Sequence, residues 1–377
     1  MIRIVLAWLL VLGSVVPSFA ENVRIGVSLG LTGKYEKMGR QQMQAFKLWA
    51  EDVNARGGLL GRPVVLEMYD DASDPGNAIA SYHKLIDSGV DLVFAPYSSA
   101  LTRAVLPLAT EHGYPLLASG AAADFLWQEG NQYIFGVFTP GSGYGTGFLD
   151  MIRDRGLDKV ALVSADDPFS KAIFDGALAR ASELGIEVVY KKIFPKDKAD
   201  MDEAALGASE AGARVLMVCG HYAESVAMRK ALDSLAWTPE AYYASVGPAM
   251  DEYAQKLGDM AEHTFSSSLW EKQLFPGGLE FYNAYLDKYD EEPAYLAANA
   301  YAAGQILEAA VTQAGGLDRR AVRDALASMA TDTIIGEYRV DGTGKQVGHT
   351  VFIIQWQDGA QRIVWPPERA EAAPVFP

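Results

Sequence analysis

Residues 23–70 read VRIGVSLGLTGKYEKMGRQQMQAFKLWAEDVNARGGLLGRPVVLEMYD, and the spacing of the apolar residues changes twice within this segment. The apolar run 23–29 has the length of a buried strand. The segment from about 39 to 55 repeats its apolar residues at helical spacing until Gly57-Gly58, and 64–69 is a second short apolar run. A strand, a helix and a strand in this order predict a βαβ unit with parallel strands.

The same alternation continues along the chain. Further strands are predicted at 92–95, 115–118, 133–138, 160–163, 186–194, 215–219, 242–246 and 264–269. Helical patterns separate most of them, the segment 279–329 is mostly helical, and a β-rich tail follows at 333–340 and 351–356. The pattern predicts the α/β class, with two doubly wound, Rossmann-like lobes and a ligand cleft between them, because such sheets bind ligands beyond the carboxyl ends of their strands.

Composition and charge exclude several classes of function. The chain has 377 residues, half of them hydrophobic, so it is long enough for two domains and is neither disordered nor fibrous. Its 32 basic and 48 acidic residues give a net charge of −16. Proteins that neutralise phosphates carry the opposite charge, so we expect no nucleic-acid partner and no binding to an anionic membrane surface.

The first twenty residues are predicted to be a secretory signal peptide. A positive start at Arg3 precedes an apolar run over 4–16, and small residues at 18 and 20 predict cleavage after Ala20. Thirteen apolar residues are too few to span about 30 Å of hydrocarbon, and no later run is longer. The mature protein is expected to be exported and not membrane-embedded. Its single cysteine, Cys219, forms no intrachain disulfide and is predicted to be a buried hydrophobic residue.

No motif in the sequence assembles a catalytic site. The GxSxG pattern at 26–30 puts Ser28 inside a strand rather than on a strand-to-helix turn, so we interpret it as a chance match. The glycines between 141 and 147 follow the spacing GxGxGxG and not that of a dinucleotide loop, which favours a tight connection between lobes. The five histidines lack metal-binding spacing. We therefore expect neither an enzyme nor a cofactor or metal.

Several segments of the chain resemble one known family. They are residues 54–63, 70–75, 95–99, 115–121 and 365–367, with the sequences NARGGLLGRP, DDASDP, APYSS, PLLASGA and WPP. Together they resemble the branched-chain amino-acid (Leu/Ile/Val)-type periplasmic solute-binding proteins of ABC transporters. The resemblance covers essentially the whole mature chain.

The resemblance implies the type I periplasmic binding fold, in which three crossovers form a hinge between the lobes. The lobes would comprise residues 21–140 with 271–332, and 141–270 with 333–377. It also implies a location in the periplasm, a small-molecule ligand such as an amino acid or related carboxylate, and an ABC transporter permease as partner.

Ser98 and Ser99 are the strongest candidates for ligand contacts. They lie between a strand end and a helix start, where unpaired N–H groups and the helix dipole favour an anion. On the residues alone, ordinary helix capping is an equally good interpretation. The resemblance favours binding of a ligand carboxylate. The resemblance also implies a second loop of backbone donors in the same lobe, at Ser119, Ala121 and Ala122.

Three aromatic residues on predicted loops complete the candidate site. Tyr35 follows the first strand, and Phe169 and Tyr222 lie in the other lobe. Aromatic residues at such positions either wall an apolar ligand or only pack the loops.

Three departures from the family pattern bear on the ligand. Ala123 stands where the amino-acid binders often have threonine, Phe169 stands where they have tyrosine, and the neutral segment 245–248 lacks the acid that pairs the ligand ammonium. A buried ammonium without an acid is costly, and Glu224 and Asp251 are the candidates to replace it. We therefore expect an apolar or aromatic carboxylate rather than an α-amino acid, with an amide or urea-type ligand as a further alternative.

Three functions remain open on the sequence. The first is the periplasmic solute-binding component of an ABC importer, which closes on its ligand by hinge motion. The second is a ligand-sensing protein of the same fold that acts on a receptor or regulator. The third, ranked well below, is a secreted hydrolase that uses Ser28.

Overall fold

A computed structural model describes residues 21–195 and 200–377 of the chain. The predicted signal peptide and its cleavage site after Ala20 lie outside the described residues. Within these two ranges, no helix combines the length and the apolar character needed to cross a membrane.

The first sheet has five parallel strands in the order β2-β1-β3-β4-β5. They are β1 (Val23–Leu29), β2 (Val64–Asp70), β3 (Leu92–Phe94), β4 (Leu116–Ala118) and β5 (Ile134–Gly136). All of β3, β4 and β5 is buried, as their continuous apolar sequences predict. The strand order reverses direction between β1 and β3, and a crevice opens at such a point in a doubly wound sheet.

The second sheet has seven strands in the order β14-β13-β10-β9-β8-β6-β7. Five of them are parallel: β6 (Lys159–Ala165), β7 (Glu187–Phe194), β8 (Val215–Cys219), β9 (Ala241–Ala244) and β10 (Thr264–Ser268). Strands β13 (Phe352–Gln357) and β14 (Ala360–Trp365) extend the sheet antiparallel. Its order reverses between β6 and β8. The predicted class of two doubly wound α/β lobes is therefore confirmed.

Helices cover both sheets. In the described residues they are α1 (Glu36–Ala55), α2 (Pro75–Ser88), α3 (Ser99–Glu111), α4 (Phe125–Gln128), α5 (Thr146–Asp154), α6 (Pro168–Leu184), α7 (Met201–Glu210), α8 (Tyr222–Leu235), α9 (Asp251–Leu257), α10 (Gly278–Tyr289), α11 (Tyr295–Ala314) and α12 (Arg319–Ser328). The start of α2 illustrates how local sequence begins a helix. The Asp74 side chain caps α2 by accepting the N–H of Asn77 at 3.0 Å, and Pro75 occupies the first turn. Helix α11 approaches α1 closely at Gly304, where an added Cβ would lie 2.3 Å from the Trp49 ring.

Some elements differ from the sequence-based expectation. Helix α1 begins at Glu36, three residues before the predicted start, because a 3-10 turn at Gly33–Tyr35 leads directly into it. The short helices α4 and α5 and the last strand β14 were not expected. Part of the predicted tail forms a separate hairpin of β11 (Ala330–Thr333) and β12 (Gly336–Arg339), which joins neither large sheet.

One buried histidine connects the three segments that cross between the sheets. The His349 Nε2 lies 2.8 Å from the Leu269 carbonyl oxygen, and its Nδ1 lies 3.2 Å from the Thr139 amide nitrogen. These contacts are satisfied by a neutral ring that donates from Nε2–H and accepts at Nδ1. Burial lowers the pKa of His349 to about 4. The crossovers near 139, 269 and 349 are thus joined at one point. The predicted lobe boundaries at 140 and 270 lie next to this junction, whereas the one at 332 lies 17 residues before His349, and all three stay predictions.

Protonation of His349 is expected to weaken the fold. An unfolded histidine titrates near 6.5 and the folded one near 4, so the stabilisation is complete above about pH 6.5 and declines as the pH falls towards 4. At about 1.4 kcal/mol per pKa unit, the protein should lose about 2 kcal/mol of unfolding free energy between pH 7 and pH 5 through this group. Urea unfolding of the ligand-free protein at both pH values measures the loss.

The matched variant is His349→Gln, which keeps a donor and an acceptor but does not titrate. The buried Asp71, whose pKa burial raises to about 6, titrates in both proteins, so only the difference between their pH responses belongs to His349. Equal losses in the two proteins would contradict the prediction.

Candidate ligand site

A small cavity lies where the carboxyl ends of the two sheets meet. Its walls come from loops after β3, β4 and β5 of the first sheet, from loops after β6, β8 and β9 of the second, and from the start of α11. The lining residues are Tyr97, Ser98, Ser99, Gly120, Ala122, Phe138, Tyr144, Phe169, His221, Val246, Tyr295 and Leu296, around a cavity of about 20 Å³. This is the position at which doubly wound sheets bind their ligands.

Ser98 and Ser99 form one wall of the cavity at the start of α3. Ser98 is the N-cap residue, but its hydroxyl makes no capping hydrogen bond. Ser99 Oγ accepts the N–H groups of Ala122 and Ala123, each at 3.1 Å. Its hydroxyl proton has no acceptor among the described residues. Both hydroxyls are therefore available to donate to an anion beside the N–H groups of the first helical turn.

Three tyrosines bring further hydroxyl groups to the cavity. Tyr97, Tyr144 and Tyr295 are all buried, and none of their hydroxyls has a hydrogen-bond partner in residues 21–195 and 200–377. Burial raises the pKa of each phenol above its ordinary value, and the neighbouring tyrosines raise those of Tyr97 and Tyr144 further. All three stay protonated, so each can donate to a carboxylate or exchange hydrogen bonds with a ligand hydroxyl.

The wall from the second lobe is mostly aromatic. Phe169 contacts Tyr144 edge-on, with ring centroids 5.6 Å apart, and lies 5.1 Å from the His221 ring. The backbone at Phe169 is held by Asp167, which accepts the N–H groups of Phe169 and Ser170 at the start of α6. These rings form an apolar wall against which a flat apolar group would pack, but the cavity of about 20 Å³ has to widen to hold such a group.

No carboxylate lines this cavity among the described residues. Glu224 is buried, but its Oε2 accepts the N–H of His221 at 3.0 Å as part of the capping of α8. Asp167 Oδ1 lies 3.4 Å from His221 Nε2 and caps α6. Asp251 lines a different cavity. The polar groups on the cavity wall are thus mainly neutral donors.

The structure brings four of the eight predicted site residues to the cavity wall, namely Ser98, Ser99, Ala122 and Phe169. The other four lie elsewhere, and their roles as ligand contacts stay predictions. Tyr35 packs behind Tyr97 with ring centroids 5.1 Å apart, and Ser119 Oγ accepts from Gln42 Nε2 at 3.1 Å. Ala121 is buried in the loop beside Ala122, and the Tyr222 hydroxyl donates to the Glu252 carbonyl oxygen at 3.0 Å.

Several lining residues were missed by the sequence-based reasoning. Tyr97 and His221 directly precede predicted residues at the ends of β3 and β8, so extending each loop by one position would have found them. Tyr144 lies in the crossover and Tyr295 begins a helix, and no strand end marks either position. Only the packing of α11 against the first lobe brings Tyr295 to the site.

Ser28 lies away from the cavity and has a structural partner. It is the sixth of the seven residues of β1 and is buried, and its Oγ donates to Asp71 Oδ2 at 3.0 Å. The hydroxyl is therefore not presented to a substrate, as a strand-to-helix turn would present it. In residues 21–195 and 200–377, no group of three or more His, Cys, Asp or Glu side chains could hold a metal ion.

Comparison with known proteins identifies relatives over nearly the whole chain. A family model described as periplasmic binding protein matches residues 22–361. The Leu/Ile/Val-binding protein homolog 7 of Brucella abortus is 24% identical over 92% of this chain and 92% of its own length.

Solved structures share the fold at low sequence identity. A leucine-binding protein from Thermotoga maritima is 21% identical, with a TM-score of 0.80 over 90% of this chain and 97% of that chain. A solute-binding protein of an ABC transporter from R. palustris, in complex with benzoate, is 18% identical, with a TM-score of 0.80 over 94% of this chain and 99% of that chain.

The two serines should differ in their importance for stability. Ser99→Ala leaves the buried N–H groups of Ala122 and Ala123 without their acceptor, which should lower the free energy of unfolding by about 1–3 kcal/mol. Ser98→Ala removes the same atom from a side chain with no capping bond, so we expect a loss of about 0.5 kcal/mol or less. Urea unfolding of the ligand-free variants measures both values, and equal losses would show that the Ser99 contacts contribute nothing.

Proposed function

Since this chain belongs to the family of Leu/Ile/Val-type periplasmic binding proteins, we propose that it is the solute-binding component of an ABC importer. It captures a small apolar or aromatic carboxylate between its two lobes and presents the closed complex to a permease. Members of this family are solute-binding proteins and not enzymes, and we propose the same for this chain. We also propose that it works in the periplasm after removal of residues 1–20.

The proposed ligand class rests on one observation. Ser98 and Ser99 offer two hydroxyl donors without acceptors at the start of α3. A carboxylate placed there accepts a hydrogen bond from each hydroxyl and lies at the positive end of the helix dipole. Ser99 keeps its orientation without the ligand, because the Ala122 and Ala123 amides already fix its oxygen. The donor group is thus arranged before binding, which lowers the cost of ordering it.

The remaining walls favour a ligand without an α-ammonium group. A protonated amine next to the carboxylate would lie among tyrosine hydroxyls, the Phe169 ring and His221, with no carboxylate on the cavity wall in the described part of the chain. Burial of an unpaired ammonium is unfavourable by several kcal/mol. The benzoate complex of the R. palustris protein supports this ligand class, and the leucine-binding relative from Thermotoga maritima represents the alternative.

Closure of the lobes explains why both sheets contribute to one small cavity. Ser98 and Ser99 belong to the first lobe, and Phe169 and His221 to the second. A ligand held by both groups stabilises the closed arrangement over an open one by its differential contacts. The joined crossovers at His349 act as the hinge for this motion, so capture needs no change within either lobe.

Titration calorimetry of the protein from Glu21 onward tests the proposal. Benzoate and hexanoate should bind with one-to-one stoichiometry and without turnover. Leucine should bind at least about tenfold more weakly, since its ammonium lacks an acid. Ser98→Ala should weaken benzoate binding by about tenfold, the equivalent of one hydrogen bond to a charged group, while leaving stability nearly unchanged.

Benzamide serves as the matched neutral control, because it retains the ring and replaces the carboxylate. Benzamide binding as tight as benzoate binding would contradict the anion site. Leucine binding tighter than that of both carboxylates would contradict the ligand class, and failure of every carboxylate would contradict the proposed function itself.

A further inference from the structure

An ion pair crosses the cleft between the two lobes. Lys37, in the first turn of α1, pairs through its ammonium group with the carboxylate of Glu252, in the first turn of α9. Helix α1 packs on the first sheet. Helix α9 follows β9 of the second sheet and is anchored there by the buried Tyr253, which belongs to the same apolar cluster as Trp356 of β13. The pair therefore joins one lobe to the other.

The remaining ion pairs of the described residues do not connect the lobes in this way. By the predicted lobe boundaries, each of them joins two residues of one lobe or lies beside a crossover, as Lys345 with Asp124 does. Among the described residues, Lys37 with Glu252 is thus the ion pair that links the lobes away from the hinge.

The charge of Lys37 is poorly placed for the stability of its own lobe. A cation in the first turn of a helix faces the positive end of the helix dipole, which is unfavourable. Among the described residues, the acid that pairs with Lys37 belongs to the second lobe. Glu252, in contrast, has the favourable sign for the first turn of α9. The ammonium is therefore stabilised from across the cleft.

Tyr222 holds the second-lobe half of this contact in place. Its hydroxyl donates to the Glu252 carbonyl oxygen at 3.0 Å, which ties the start of α8 to the start of α9. Lys37 Nζ also lies 6.0 Å from the centre of the Tyr222 ring, at the outer limit of a cation–π attraction. One ammonium group of the first lobe thus meets a carboxylate and an aromatic face of the second.

This contact lies outside the ligand cavity but next to its wall. Tyr222 directly follows His221, which lines the cavity. Neither Lys37 nor Glu252 is among the lining residues. The two charged groups can therefore affect a ligand in the cavity only through the arrangement of the lobes.

We propose that the Lys37–Glu252 ion pair is a latch that holds the lobes closed over the bound ligand, and that Tyr222 positions Glu252 for it. Because the partners belong to different lobes, rotation about the hinge separates them, and the pair stabilises the closed arrangement alone. A contact of this kind raises the affinity for every ligand by one common factor. The inference rests on the proposed function and assigns what retains the ligand after capture.

The exposure of the pair sets the size of the expected effect. The two side chains are 34% and 36% exposed, and exposed ion pairs change an equilibrium by about two- to fivefold. Lys37→Met removes the charge and keeps the apolar stem. It should weaken binding of benzoate and of hexanoate by the same factor, about two- to fivefold, in titration calorimetry. The loss should lie mainly in the dissociation rate, measured by stopped-flow displacement.

Lys47→Met is the matched control, because it removes the same charge from an exposed position on the same helix. It should bind both carboxylates as the wild-type protein does. Added salt should raise the dissociation rate of the wild-type protein more than that of Lys37→Met, since salt screens an exposed ion pair. Circular dichroism and urea unfolding of the ligand-free variants confirm that each is folded.

A double-mutant cycle tests whether the two charges act together. Glu252→Gln should weaken binding about as much as Lys37→Met, and the double variant should bind no more weakly than either single variant. Tyr222→Phe keeps the ring and removes the hydrogen bond to Glu252, so it should give a smaller loss in the same direction.

The outcomes separate the latch from the proposed function. Wild-type affinity in Lys37→Met, or losses that add in the double variant, would overturn the latch and leave the proposed function standing. Losses that differ between benzoate and hexanoate would also overturn it, because Lys37 would then act on the ligand itself. Failure of both carboxylates to bind the wild-type protein would overturn the proposed function and the latch with it.

Discussion

Parallel strand pairing determines where a ligand site can form in this protein. It places the loops after β3 and β4 at one edge of the first sheet and the loops after β6 and β8 at one edge of the second. The strand order reverses beside each group of loops, so each edge has a crevice that adjacent helices do not fill. When the two edges face each other, the crevices combine into one cavity. The position of the candidate ligand site therefore follows from topology, and its chemistry follows mainly from the few residues on those loops.

The chemistry of the cavity is that of neutral donors in an apolar surrounding. Serine and tyrosine hydroxyls and the first turn of α3 can hold an anion without any basic side chain, and the overall charge of −16 does not prevent this. Partial charges at close range act in a medium of low effective dielectric, whereas the distant surface acids are screened by water and salt. Of the acids near the cleft, Asp251, Glu291 and Glu292 line a second cavity, which shares Tyr295 with the candidate ligand cavity.

The sequence alone predicted the parts of the fold that depend on local pattern. Apolar runs located the parallel strands, and the short strand-to-helix connection at Ser98-Ser99 marked the candidate anion site. Helices α4 and α5 and strand β14 were missed, as was the separate pairing of β11 with β12, because their ends carry weak signals.

The position of Tyr295 at the cavity, and that of Asp251 with Glu292 in the second cavity, depend on contacts between segments more than 40 residues apart, which no local pattern contains. Asp251 illustrates both cases: its residue type raised the question of an ammonium partner, and only the tertiary structure shows that it lines a different cavity.

In the proposed hinge motion, the junction at His349 limits how freely the lobes move. Two bodies joined by a single flexible segment can bend in two directions and twist. Three connections lying side by side and bonded to one imidazole resist twisting and sideways bending, which leaves essentially one hinge angle. A ligand that closes the cleft then restricts a single rotational coordinate, so the entropic cost of bringing the two half-sites together is largely met during folding and not during binding.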